Sequence, residues 1–98
     1  MATLYPLSQE IKDFASGLHL VCTKVNVTNG SDTVTLPEGL NNSAHVAVIP
    51  VDSSNTAKTV SSISRSAHPA GVEVTLTGGT NGSDQIIISL HAGNTAGL

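Results

Sequence analysis

The residues best suited to chemistry are four histidines, His19, His45, His68 and His91, and the single cysteine, Cys22. Imidazole and thiolate are the usual ligands of zinc. The spacing does not fit that use. Cys22 has no second cysteine nearby, and His19, three residues before it, falls on the opposite face of an extended strand. Only strands distant in sequence, or a threefold axis, could gather the histidines. No Gly-x-Ser-x-Gly elbow presents a serine, and nothing groups Glu38, Asp52 and Glu73 into a carboxylate pair. Gly78-Gly79-Thr80-Asn81-Gly82 is glycine-rich, but it lacks the Lys-Ser/Thr of a phosphate loop and leads into a strand-like run. The expectation is a chain that is not an enzyme, with no catalytic residues, no metal site and no cofactor.

A second group of polar residues recurs. Thr28-Asn29-Gly30-Ser31-Asp32 is repeated as Thr80-Asn81-Gly82-Ser83-Asp84. Two equivalent loops at one end of a fold could present Asp32 and Asp84 to a cation. One carboxylate per loop is too few hard oxygens for a calcium site, whereas Asn-Gly is a strong hairpin signal. The preferred reading is a pair of hairpin turns, with Asn29, Asp32, Asn81 and Asp84 as exposed, hydrogen-bonding loop residues.

Composition narrows the function classes further. Only 11% of the 98 residues are charged and the net charge is −3, while Ser, Thr, Asn and Gly account for 39 positions. Soluble domains usually carry about 25% charged residues. Four dispersed cations, Lys12, Lys24, Lys58 and Arg65, cannot form a nucleic-acid footprint. Tyr5 and Phe14, the only aromatics, cannot build a stacking platform. No apolar run approaches the roughly 20 residues of a membrane helix. A lone cysteine allows no internal disulfide, and the opening residues lack the pattern of a secretion signal, so synthesis in a cytosol is expected. A surface of small neutral groups costs little to desolvate, which points to a chain that lives against neighbours.

The elements that must position these residues are strands. Val25 and Val27, Val34 and Leu36, and Val72, Val74 and Leu76 alternate with polar residues. Leu18, Leu20 and Cys22 alternate with His19, Val21 and Thr23. Ala44 to Val51 is apolar on both faces, and Pro50 places its far end at an edge or bulge. Lys58 to Arg65 breaks strict alternation at Ser61-Ser62, which predicts a bulge. In Gln85 to His91, Ile86, Ile88 and Leu90 share the face taken as apolar and inward. Residues 1–17 differ: Ser8 to Ser16 predicts a short helix capped by Ser8 and ended by Gly17. The expected fold is all-β, a small antiparallel β-sandwich or barrel of about six strands spanning residues 18–98. Residues 1–17 form its N-terminal arm or short helix.

The style of Lys24 to Leu36, Val72 to Leu90 and the Ala92 to Leu98 tail resembles small phage head decoration proteins, the cement proteins of capsids. The resemblance implies a β-rich structural virion protein, made in the host cytoplasm, that stabilises a head by contacts with the major capsid protein and with its own copies. It implies a homo-oligomer, with a trimer favoured, and no partner among nucleic acids or membranes. In this reading Leu4, Tyr5, Leu7, Ile11 and Phe14 are the apolar anchors for the protein interface, because such anchors dominate interface energy. The alternative is a recognition module, receptor- or carbohydrate-binding, on a virion or tail fibre, using the two Asn-Gly loops.

Overall fold

The structure is a computed structural model that describes residues 2–15, 17–36, 42–65 and 72–92. It contains eight strands: β1 (Ala2–Leu4), β2 (Ser8–Ala15), β3 (Leu18–Asn26), β4 (Asp32–Leu36), β5 (Asn42–Pro50), β6 (Thr59–Arg65), β7 (Val72–Thr77) and β8 (Asp84–Ala92). They form two four-stranded sheets, in the orders β1-β4-β7-β6 and β2-β3-β8-β5. Short, β-branched-rich runs separated by Gly, Asn and Ser clusters have no way to bury their apolar faces except by stacking one sheet on another. The all-β sandwich is therefore the fold, with eight strands where the sequence reading counts about six.

The core lies between the sheets. Leu4, Val25, Val27, Val34, Leu36, Val72, Val74, Leu76 and Ile87 form one buried cluster, flanked by Val46, Val48 and Val60. The alternation of β3, β4 and β7 reads straight through to this packing. β6 carries its bulge between Val60 and Ser62, and β5 ends at Pro50 on a sheet edge, both as expected.

Four expectations are corrected. Ser8 to Ala15 is strand β2, not a helix, and pairs antiparallel with β3 from Ser8↔Lys24 to Ala15↔Leu18. A helix this short has a costly nucleus, whereas an adjacent strand offers a ready ladder. β1 joins the other sheet and runs parallel to β4. A parallel pair is possible because the chain between them travels through β2 and β3, in the opposite sheet. The two Asn-Gly segments are not hairpin turns: each carries the chain across the sandwich, from β3 to β4 and from β7 to β8. Finally, the inward face of β8 is Gln85, Ile87, Ser89 and His91, all buried, while Ile86, Ile88 and Leu90 face outward. β3 matches it, with His19, Val21, Thr23 and Val25 inward and Leu18, Leu20 and Cys22 outward.

The N-terminal candidates separate on this fold. Leu4 is buried in the core, so it is a packing residue and not an exposed anchor. Tyr5 and Leu7 are 77% and 59% exposed, and Ile11 is half-buried on the inward face of β2. The side chain of Phe14, together with Pro37–Gly39, His68 and the tail after Ala92, lies outside the described residues. Replacing Leu4 with Ala is expected to cost about 2–5 kcal/mol, as for other core leucines. Leu7→Ala should stay within about 0.5 kcal/mol. Urea unfolding of the two variants checks the assignment.

Candidate functional site

Three crossings meet at one end of the sandwich: Val27–Ser31, Val51–Lys58 and Gly78–Ser83. Lys58 ties them together. Its ammonium is fully buried, 2.9 Å from Asp32 Oδ2, and donates to the carbonyl of Gly30. Its backbone N–H donates to Gln85 Oε1 at 2.9 Å, and Gln85 Nε2 donates to the Thr56 carbonyl at 2.8 Å. The lysine stem lies against Gly79, where φ is +86° and an added Cβ would stand 3.1 Å from Lys58 Cγ. A side chain at position 79 would therefore meet both backbone strain and the buried lysine.

Asp32 completes the arrangement. Its two oxygens accept from the Thr28 hydroxyl at 2.6 Å and the Thr28 N–H at 3.0 Å. Burial alone would raise its pKa. The hydrogen bonds from Thr28 and Lys58 and the lysine charge outweigh that and hold the carboxyl below the ordinary 3.8. The cation that the loop carboxylate takes is thus the chain's own lysine. Asp32 is buried, which corrects its reading as an exposed loop residue.

The second copy of the pentapeptide behaves differently. Asp84 is half-buried on the outer side, accepting from Asn26 Nδ2 at 2.9 Å and lying 3.7 Å from Lys24 Nζ. The crossings touch through Gly82 N–H to the Val27 carbonyl and Val27 N–H to the Ser83 carbonyl. Asn29 and Asn81 are exposed. Identical residues thus enter their strands in opposite phase: Asp32 points in, Asp84 points out, and Gln85 takes the inward place in β8.

The histidines also resolve. His19 and His91 are register partners on β3 and β8 and are both buried. His19 Nδ1 lies 2.9 Å from Asp13 Oδ1, and His91 Nε2 lies 2.6 Å from Ser89 Oγ. The second spacing is that of a nucleophile and its base, but both groups are sealed between the sheets. What it does here is satisfy buried polar atoms. His45 is exposed on β5. Among the described residues, no three His, Cys, Asp or Glu side chains gather to hold a metal ion.

The larger features are the two outer faces, which differ in kind. On the β1-β4-β7-β6 sheet, Thr3, Thr33, Thr75 and Ser62 stand in one rank across four strands. Thr35 and Ser64 flank Glu73 in the next rank. This face is rich in hydroxyls around the carboxylate of Glu73. The β2-β3-β8-β5 sheet shows the reverse. Leu18, Leu20 and Cys22 of β3, Ile86, Ile88 and Leu90 of β8, and Ala47 and Ile49 of β5 form an apolar strip, with Ile49 exposed and the others half-buried; Lys24 and His45 stand at its sides on the same face. Its β2 margin carries Glu10 and Lys12, paired at 3.0 Å. There a shallow depression of about 340 Å³ is lined by Ser8, Gln9, Glu10, Cys22, Lys24 and Ile86. Leu7 adjoins it, its N–H bonded to the Lys24 carbonyl at 2.8 Å.

Sequence reasoning missed Lys58 and the outward phase of β8. One signal for the first was legible: Lys58 is the only cation between Lys24 and Arg65.

Lys58→Met leaves Asp32 buried without its counter-charge and should cost about 3–5 kcal/mol, while adding Asp32→Asn should recover part of that loss. The pH dependence has a definite sign. The folded-state pKa of Asp32 is depressed, so its contribution is complete above the unfolded value and is lost as pH falls through the folded one. Urea midpoints at about pH 7 and about pH 3 should therefore differ less in Asp32→Asn than in the native chain.

No family model, curated protein or solved structure matches this chain.

Proposed function

We propose that this chain is a non-enzymatic structural component of a larger particle. In its most specific form it is a small head decoration protein that seats the outer face of the β2-β3-β8-β5 sheet on a capsid lattice. The observation that carries the reading is the apolar strip along β3, β8 and β5. Monomeric proteins seldom leave extended apolar surface in water, and such surface marks interaction sites. Docking removes it from water at roughly 25 cal/mol per Å², against the cost of association.

The rest of the surface supports the same reading. The margin charges are already paired with one another, Glu10 with Lys12 and Lys24 with Asp84, so approach of a partner strands no lone charge. The hydroxyl face opposite can meet water or further neighbours through neutral hydrogen bonds. Of the apolar anchors, Tyr5 and Leu7 remain exposed, and Leu7 is tied beside the strip by its N–H bond to the Lys24 carbonyl. In this reading the protein acts in the virion and is made in the host cytoplasm. A recognition module built on the crossings would have to do without Asp32, which is committed to Lys58.

The test is binding to purified particles stripped of the chain. The native protein should rebind at a fixed copy number per particle. Ile88→Lys, an outward substitution, should leave the circular dichroism spectrum unchanged and weaken binding by about tenfold or more, a loss of at least about 1.4 kcal/mol. Undiminished binding of a folded Ile88→Lys protein would overturn the assignment of the docking face.

A further inference from the structure

The four sheet edges are not alike. β1 has three residues. β6 is bulged between Val60 and Ser62 and presents exposed serines. β2 carries the charged residues Glu10, Lys12 and Asp13, all exposed. Short length, bulges and charge are the usual means by which an edge refuses another strand. β5 has no Asp, Glu, Lys or Arg along its nine residues. Its run from His45 to Ile49 is regular, bounded by a bulge at Ser43/His45 and by Pro50. Among the described residues, no strand pairs with its outer side.

The hydrogen-bonding phase of that edge can be read. Val51 N–H donates to the Asp84 carbonyl at 3.1 Å, toward β8. Strand alternation then turns Ile49 and Ala47 toward β8, and leaves the N–H and C=O of Val46 and Val48 on the free side. Pro50 shares that free side, where its missing N–H costs the sheet nothing. Ile49 and Val51 are 47% and 53% exposed beside this edge.

We propose that β5 pairs with β5 of a second copy of this chain, antiparallel about a twofold axis at Ala47. This register sets Val46 opposite Val48 of the second copy, so both free pairs exchange N–H···O bonds at once. The axis falls on the smallest outward side chain of the regular run, and no charge meets a like charge. The same operation on β2 would bury its charged side chains beside the new strand. Pairing at β5 also joins the two apolar strips through Ala47 into an eight-stranded sheet, with His45 of each copy beside Ile49 of the other. A second copy is the occupant the edge fits best, because the pairing phase of Val46 and Val48 and the absence of charge are both self-complementary. The geometry favours a twofold pair over the trimer expected from sequence. It rests on the edge alone and does not require the capsid reading.

Sedimentation equilibrium over a range of concentrations tests it. The native chain should pass from 9.9 kDa to about twice that mass. Val48→Pro removes a free-side N–H, at the cost of some packing where Val48 flanks the core, and should weaken association by about tenfold or more. Ile88→Lys should leave it unchanged, which separates this proposal from the docking face. Should Val48→Pro fail to fold, Ala47→Cys in a Cys22→Ser background gives an independent reading. Cysteines facing each other across the axis should form an intermolecular disulfide under mild oxidation, and a Ser53→Cys control should not. A chain that stays monomeric, forms a trimer, or dimerises without the Ala47→Cys cross-link overturns the proposal.

Discussion

The phase of β8 is the constraint on which the rest of the molecule depends. A strand has two faces, and a slip of one residue exchanges them completely. In β8 either face could pass for the interior: Gln85, Ile87, Ser89 and His91 on one side, Ile86, Ile88 and Leu90 on the other. The choice is made at the strand's first turn, where the Gln85 amide accepts from the Lys58 N–H and donates to the Thr56 carbonyl. Shifting β8 by one residue would strand Lys58 and Gln85 and turn Asp84 into the core. Buried polar groups left without partners carry a desolvation cost that opposes the gain from moving apolar side chains inward. The ion pair of Lys58 and Asp32 fixes the same lysine from its other end.

The proposed function rests on that choice. With the polar side of β8 committed to the interior, three large apolar side chains are left outside. They join Leu18, Leu20 and Cys22 of β3 and Ala47 and Ile49 of β5, and the outer face becomes a surface suited to a partner. The sheet is apolar outside because its polar groups are needed inside, at the crossings and around the His19 and His91 pair. The opposite sheet needs no such exchange. Apart from Asp32, its inward residues are aliphatic, and its outer face is threonine and serine around Glu73. The two outer faces thus differ in kind, one rich in hydroxyls and one with an apolar strip bordered by paired charges.

Much of this was legible in the sequence where one face is plainly apolar. Val34 and Leu36, or Val72, Val74 and Leu76, point inward wherever the strand is placed, and Pro50 marks an edge for want of an N–H. The outward apolar strip was not legible, because Gln85-Ile-Ile-Ile-Ser-Leu-His91 has no plainly polar side. The repeated pentapeptide added to the error. Counting from Asp32 places Val34 and Leu36 inward, and the same count from Asp84 places Ile86 and Ile88 inward. The difference lies in Lys58, which is 26 residues from either aspartate and leaves no local mark. The β2 helix was misread for a related reason: caps and spacing are local, while the ladder that β2 joins is offered by β3.

Cys22 gives the most direct test, because it lies on the outer strip, half-exposed, and is the only cysteine in the chain. Its alkylation rate by a maleimide reagent can be measured in the isolated protein and again in the particle proposed to hold it, without any substitution. The account predicts ready labelling of the isolated chain and strong protection in the particle, with labelling restored when the particle is dissociated. Equal labelling in both states, or an unreactive thiol in the isolated chain that reacts only on unfolding, would contradict it.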